Sequence, residues 1–540
     1  MLVYQGEYII LDIFTNYLFF LKLAFFVTAL LILLSNIDDA FVDLYYIIYQ
    51  IRRKIFIYRK YRPFQAEDIL TKKEQFFAIM VPAWQEAAVI QSMLKNTFSS
   101  YNYHNYHIFA GCYPNDPETI TKIKELLPQY PNLHITLLPS PGPTSKADCL
   151  NHICENIFDF ERKARVEFAG FVLHDAEDII HPLELKLYNH LIPRKDMVQI
   201  PVIPLERPWY DLTGGHYQDE FAENHIKEMV VRESLTGHVP SAGVGTALSR
   251  QAIVLISKNH TAAPFDTKNL TEDYDLALRL KKHNLKLIFA RFNAGSGDII
   301  ATREFFPDSI GAVVRQKSRW LMGIAFQGWR NQKWHGSPAM KYALFRDRKA
   351  ILTAQLSIAA YFILLNILFV WFVEWLYPDG YHYPPLVRRG DILEYLLWAN
   401  LFFLISRALH RIYFTYQIYG SLPALLSFPR QLWGNILNFM ATHRAIYLYS
   451  GHLFFATALI WDKTDHMFPD LKQLTPYRKK LGELLLHNNI LTIDILRRAL
   501  SAQKINGHRL GQILIEKGHI TDRQLSDILK LQKIQYEHQS

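Results

Sequence analysis

A series of short polar clusters in the middle of the chain holds the residues able to do chemistry. The densest is His174-Asp175-Ala176-Glu177-Asp178, three carboxylates within four residues. Carboxylates this close repel one another unless a cation offsets them. Mg2+ or Mn2+ takes oxygen ligands, bridges substrate phosphates and needs few protein ligands. Read alone, the cluster is equally a solvated strand end with a helix cap before Pro182. Upstream, in VPAWQE, Glu86 suits a helix N-terminus. Asn115-Asp116 and the SKADCLN run from Ser145 to Asn151 follow, each by itself more often a loop or cap than a site. Ser241–Thr246, SAGVGT, is a small-residue loop that lets backbone approach a ligand closely. Thr271-Glu272-Asp273 opens a helical stretch as a capping motif would. Gln316-Lys317-Ser318-Arg319-Trp320 reads by itself as an amphipathic interface helix.

The surrounding pattern says what must hold these clusters. From Gln75 to about Trp334, short apolar runs alternate with helical stretches, and FFAIMVPA and EFAGFVLHDA end buried-strand patterns in polar residues. That alternation predicts an α/β domain over 75–335 with a mainly parallel sheet. In such sheets, ligands bind beyond the strand C-termini. After an N-terminal segment, 1–16, apolar blocks flank this domain. Membrane spans are expected at 17–37, 352–376 and 392–414, each about the ~20 residues a helix needs to cross. A cleaved signal is disfavoured, because Lys and Arg are missing before Tyr17 and no A-x-A site follows. Residues 420–461 suit interface helices or a fourth span, with Pro423, Pro429, Arg430, His443 and Arg444 interrupting the apolar patches.

Formal charge is +9. The densest basic run, Arg52-Arg53-Lys54 with Arg59, Lys60 and Arg62, follows the first span, where positive-inside topology puts it. That placement argues against nucleic acid as partner. It puts the middle domain on the cytoplasmic side of a membrane, and two further spans return the tail to the same side. Cys112, Cys149 and Cys154 form no CxxC pair and are expected in the core.

Taken in order, VPAWQE, a lone Asp, SKADCLN, DAED, TED and QKSRW resemble family 2 glycosyltransferases of the cellulose- and hyaluronan-synthase type. The resemblance implies a GT-A-type domain and a nucleotide sugar donor, UDP-linked, with Mg2+ or Mn2+. It implies that Pro82, Ala83, Glu86, Asp116 and Lys146 cradle the nucleoside. Asp175, with Glu177 or Asp178, would hold the cation on the diphosphate. Asp273, in Thr271-Glu272-Asp273, would take a proton from the acceptor hydroxyl, with Glu272 beside it. Gln316, Arg319 and Trp320 would line the acceptor end and the leaving diphosphate. Gln85 stands where that pattern has Asn, and DAED replaces Asp-x-Asp. One base and one displacement would invert the anomeric carbon. IMVPAW, YPNDPET, GPTSKADCLN, FAGFVLHDAED, VPSAGVGT, LTEDYD and VRQKSRW also resemble the inner-membrane phage-adsorption protein B family. That likeness implies a surface polysaccharide, an outer-membrane partner for its export, and use by phage as a receptor component.

The tail is duplicated: Lys480–Gln503 pairs with Arg509–Gln532 at a shift of 29 residues. Each copy reads as two short helices, and two copies bury a face that one cannot. A small all-α docking domain over 476–535 satisfies this pattern. The motif also resembles the paired N-terminal domain of type II secretion and pilus ATPases. That resemblance implies cyclic di-GMP binding through Arg509, Leu510, Gly511, Gly518 and Gln532, with Lys480, Leu481, Gly482 and Gln503 in the first copy. The leading expectation is a glycosyltransferase that passes a polymer through its own helices. Transfer of one sugar to a lipid phosphate carrier is the alternative enzyme, and a receptor scaffold without turnover is the third reading.

Overall fold

The polar clusters sit at strand ends and on the helices beside them, and the described residues form nine strands. These are β1 (Phe76–Pro82), β2 (Tyr106–Cys112), β3 (Leu133–Leu137), β4 (Phe168–Leu173), β5 (Met197–Gln199), β6 (Val202–Pro204), β7 (Thr246–Ser249), β8 (Leu287–Phe289) and β9 (Thr302–Glu304). The computed structural model describes residues 2–537 except 63, 260–262, 295–297, 379–384, 458–465, 475, 476, 478 and 489. Seven strands form one sheet in the order β3-β2-β1-β4-β7-β5-β8, and β6 pairs with β9 beside it. β1 runs parallel to β2 and β4, β2 to β3, and β5 to β8. Only β7 is antiparallel to its neighbours, β4 and β5. The sheet is therefore mainly parallel, as the alternating pattern predicts.

Such a sheet is covered on both faces, so its strands are apolar almost throughout. β1 shows this with period-two alternation. Phe77, Ile79 and Val81 enter one core cluster, while Ala78 and Met80 enter the other. All three cysteines are buried and free, which agrees with their reading as core residues.

Three helices are long and apolar enough to cross a membrane among the described residues: Asp12–Ile57, Pro338–Leu376 and Ile392–Tyr419. The first holds 46 residues, ~69 Å at 1.5 Å per residue. It runs well past the stretch 17–37, because Asp38, Asp39 and Asp43 do not break it; they are paired. Arg346 lies 2.7 Å from Asp38, Lys349 2.7 Å and Arg407 3.1 Å from Asp39. His410 lies 2.8 Å and Lys227 2.5 Å from Asp43. This layer joins all three apolar helices to the α/β domain.

Residues Ser421–Phe455 form one further helix with Pro429 inside it, and it is not among the three apolar enough to span. Instead, it packs along the helix Ile310–Leu321 that carries QKSRW. Arg444 donates to Ser318 Oγ at 2.7 Å, and Lys317 donates to Asn438 at 2.8 Å. Arg430, 1% exposed, pairs with Asp219 at 2.7 Å. The end of the stretch read as 420–461 lies outside the described residues.

The tail folds as four helices, Leu481–His487, Ile493–Asn506, Leu510–Glu516 and Asp522–Glu537, around one shared apolar core. The duplicated glycines have a packing role. A Cβ on Gly482 would lie 2.9 Å from Leu496, and one on Gly511 2.9 Å from Leu525, so the symmetry of the sequence is repeated in the contacts. Gly518 ends a helix with φ +68°, a conformation glycine adopts freely. Gln503 donates to the His508 carbonyl at 3.2 Å, Lys480 reaches Asp298 at 2.6 Å, and Arg509 is exposed. Gln532 lies in the last helix.

Gly482→Ala and Gly511→Ala should each destabilise the tail by about 1–3 kcal/mol through overpacking. Hydrogen exchange across 480–537 in the intact chain reads this, and unchanged protection would contradict the packing role.

Candidate active site

The sheet delivers its polar residues to one edge. β1 ends in Pro82 and turns through Gln85-Glu86. β4 ends at Leu173 and leads into His174–Asp178. The helix Lys146–Ala164 begins with Lys146, its N-cap Ser145 accepting from the Asp148 N–H at 3.2 Å. The helix Glu272–Lys282 starts with Glu272 and Asp273. Pro82, Glu86, Lys146, Asp175, Glu177, Glu272, Asp273, Gln316, Arg319 and Trp320 all line one cavity of ≈ 1570 Å³. Residues as distant in sequence as Asp175 and Asp273 thus share a cleft. The same cavity continues between the apolar helices, past Ala29, Asn36, Tyr361, Asn400 and Asn435.

Three expected site residues stand behind this lining. The Ala83 N–H extends the strand ladder by donating to Gly111 O at 2.8 Å. Asp116 caps the helix Pro117–Lys124 and also accepts from the Gln85 N–H at 2.6 Å. It thereby fixes the loop that presents Glu86, at a residue whose φ is +55°. Asp178 corrects the expectation for the acidic cluster. It is fully buried, 2.7 Å from His174 Nδ1, while His174 Nε2 reaches Glu184 at 2.7 Å. Its carboxylate is turned inward to that histidine, so Glu177, not Asp178, faces the cavity beside Asp175.

Like charges in a confined cleft need compensation. Lys146 Nζ lies 2.5 Å from Asp175 Oδ1. Burial works against the lysine charge, but Asp175, Glu272 and Asp273 outweigh it and hold the ammonium above its usual range. Burial, then the neighbouring Asp273 carboxylate, push Glu272 up to about 7. Burial also raises Asp273, opposed by Lys146. The SAGVGT loop passes close to this group. Gly243 has φ +77°, and a Cβ there would lie 2.7 Å from Asp273 Oδ2. On the far wall, Tyr217 donates to Gln316 at 2.8 Å and meets Trp320 edge-on, with ring centroids 6.2 Å apart.

Two lining residues went unread in the sequence. Glu304 ends β9 and lines the cavity; the strand-end signal that marks DAED marks it too. His466 also lines the cavity, 3.2 Å from both Glu86 and Glu177. It arrives from beyond the last long helix, and no local pattern announces it.

Comparison with known proteins places these observations. Residues 170–373 match the family model described as glycosyl transferase family group 2. The chain is 40% identical over 536 residues to the bacteriophage adsorption protein B of Escherichia coli K12, covering 96% of this chain and 72% of that protein. A 53-residue stretch is 40% identical to the type IV pilus assembly ATPase PilB of Myxococcus xanthus, covering 10% of this chain and 9% of that one. Among solved structures, a mannosyltransferase from Pyrobaculum calidifontis in complex with GDP-Man and Mn2+ aligns with TM-score 0.42 and 14% identity. That alignment covers 75% of this chain and 98% of the other.

The left-handed backbone at Gln85 costs an ordinary residue roughly 1–2 kcal/mol. Gln85→Gly should therefore raise the thermal midpoint, and Asp116→Ala, which removes the acceptor holding that turn, should lower it. A midpoint that moves the opposite way in either variant would contradict this role for the loop.

Proposed function

The chain belongs to the bacteriophage adsorption protein B family and carries a family 2 glycosyltransferase domain, and from that premise we propose that it builds a surface glycan from a nucleotide sugar, UDP-linked, and passes it between its own membrane helices. The observation that carries this reading is the single cavity joining Asp175 and Asp273 to the space between those helices.

The donor diphosphate would lie against Lys146 and Arg319, with Glu86 on the nucleoside side. Asp175 and Glu177 suit a Mg2+ or Mn2+ ion, since both offer oxygen ligands. Glu177 is buried, its Oε2 3.2 Å from His466 Nδ1. A divalent cation bound there would neutralise charge developing on the leaving diphosphate. Asp273 would accept the proton of the acceptor hydroxyl as that oxygen attacks the anomeric carbon. Glu272, beside it, is pushed up to about 7 and adds like charge once ionised. Gln316 and Trp320 form a polar and an aromatic wall for the acceptor sugar. A single displacement inverts the anomeric centre.

The basic run after the first span supports a bacterial inner-membrane location with the catalytic and C-terminal domains cytoplasmic. The family supports a surface role, with an outer-membrane partner for export. The tail motif supports activation by cyclic di-GMP, with exposed Arg509 as the anion-facing residue, since Gly482 and Gly511 have packing roles.

Radiolabelled UDP-sugars supplied to membranes test the chemistry. Asp273→Asn should cut incorporation about 10²–10⁴-fold, and equal incorporation would sink the enzyme reading. Polymer in the product supports the synthase, and a single glycolipid would instead support transfer to a lipid carrier. The pH profile has a definite sign. A base must be ionised to work, and burial raises Asp273 above its ordinary value. Activity should therefore be full above the raised value and fall as pH drops through it, starting higher than an ordinary carboxylate near ~4. An acid limb at or below ~4 would rule Asp273 out as the base. For the tail, cyclic di-GMP should stimulate the intact protein, and Arg509→Ala should abolish that stimulation. Stimulation that survives the substitution, or none in the wild type, would refute this reading.

A further inference from the structure

Between β6 and the helix Leu212–Glu223, the chain makes a short turn with a polar base and an aromatic tip. Arg207 anchors the base. It donates to Phe306 O at 2.6 Å and to Asp308 at 3.1 Å, and its guanidinium covers the Phe305 ring at 4.5 Å. Asp211 closes the turn by accepting from the Gly214 N–H at 2.7 Å, while its own N–H donates to Pro208 O at 2.9 Å. A turn held this firmly presents Trp209 and Tyr210 at its tip, 64% and 69% exposed, with ring centroids 5.8 Å apart. A lone apolar side chain on a surface is ordinary, but adjoining exposed rings mark a contact with something.

The neighbours of the turn give its depth. At its start, Pro204 O accepts from the Tyr419 hydroxyl at 2.6 Å, and Tyr419 ends the apolar helix Ile392–Tyr419. At its other end, Thr213 Oγ1 accepts from Trp433 Nε1 at 3.0 Å. Trp433 belongs to the helix Ser421–Phe455, and residues beside it meet Tyr361, well inside the apolar stretch 352–376. Asn435 donates to the Tyr361 hydroxyl at 2.9 Å, and that hydroxyl donates to Leu432 O at 3.3 Å. Both ends of the turn are thus tied to elements at the membrane surface or within it. The helix Ser421–Phe455 is itself two-faced here. Ala424, Ser427, Arg430 and Gly434 are buried, with Arg430 turned to Asp219. Leu422, Leu425, Phe428 and Leu432 are exposed, spaced by three or four residues along one helical stripe.

We infer that Trp209 and Tyr210 insert into the headgroup layer of the bilayer, so that the α/β domain holds the membrane by a turn of its own as well as by the spanning helices. Indole and phenol rings suit that layer, because each joins an apolar body to a polar tip. The tip, Pro208-Trp209-Tyr210, is uncharged, so zwitterionic lipid suffices as the partner. The helix that follows begins at Leu212 and carries Tyr217 and Glu220, which hold Gln316 at 2.8 Å and Lys317 at 2.7 Å. Seating of the turn thereby sets the height of the QKSRW helix relative to the bilayer. The inference stands apart from the transferase reading and needs only that the apolar helices span.

The test uses the intact protein in phosphatidylcholine nanodiscs, one copy per disc, with a nitroxide attached to Trp209→Cys. Cys112, Cys149 and Cys154 are buried and leave the label to the introduced thiol. Power-saturation electron paramagnetic resonance compares collisions with O2, which concentrates in lipid, against collisions with a water-soluble Ni2+ chelate. A label at 209 should collide more with O2 than with the chelate. One at Leu137→Cys, exposed on β3 at the edge of the sheet, should show the reverse. Tyr210→Cys should repeat the result at 209, which covers the case where one substitution disturbs the turn. Labels at 209 and 210 as open to the chelate as that at 137 would overturn the inference and leave the tip in water. Shielding from both reagents would overturn it too, since protein and not lipid would then cover the tip. No sugar nucleotide is present, so the outcome does not depend on whether transfer occurs.

Discussion

Negative charge confined in a partly buried cleft is the constraint on which this structure turns. Asp175, Glu177, Glu272 and Asp273 line one cavity with Glu86 and Glu304. Carboxylates in such a space either take up protons or find cations. Lys146 answers for the inner group, where Asp175 and the Thr271-Glu272-Asp273 turn meet. His466 stands at the outer group, between Glu86 and Glu177. The same charge makes the cleft costly to fold and gives any cation that enters it a favourable field. Burial, with neighbouring carboxylates, raises the proton affinity of Glu272 and Asp273 there. Asp178 and His174 illustrate the other solution, in which a carboxylate is withdrawn from the cavity and paired in the interior.

The same principle seats the domain on its membrane helices. Asp38, Asp39 and Asp43 on the first helix meet basic groups from the second and third and from the α/β domain. Removing one partner of such a layer leaves the others uncompensated, so the layer fixes relative position as much as it stabilises. The helix Ser421–Phe455 performs the matching task beside the QKSRW helix. Through Asn438 and Arg444 it holds the QKSRW helix, and through Arg430 it holds the helix that begins at Leu212. The wall of Gln316 and Trp320 is thereby tied to the helices between which the cavity continues.

The tail shows how one motif can have two readings. The glycines of its duplicated unit are required by leucines packed against them, Leu496 in the first copy and Leu525 in the second. Their presence follows from folding alone and is no argument for a ligand. What remains for recognition is the exposed Arg509. Lys480 contributes something different, since it attaches the module to the α/β domain through Asp298.

Much of this was legible from the chain alone. Apolar runs ending in polar residues marked β1 and β4, because a strand covered on both faces must be apolar until it emerges. The three membrane helices were legible because hydrocarbon admits few polar groups, and the tail duplication because two copies share one core. The order of the polar clusters was enough to indicate a glycosyltransferase domain. Tertiary structure alone decided which way each side chain faces. It turned Asp178 to His174 and Glu177 to the cavity, although they are adjacent, because backbone direction at a strand end is set by the packing around it. It also decided that Asp38 and Asp39 continue a helix, since only a folded neighbour can supply Arg346 and Lys349. And it brought His466 to Glu86 and Glu177: sequence patterns register neighbours along the chain, whereas a charged cluster is fixed by neighbours in space.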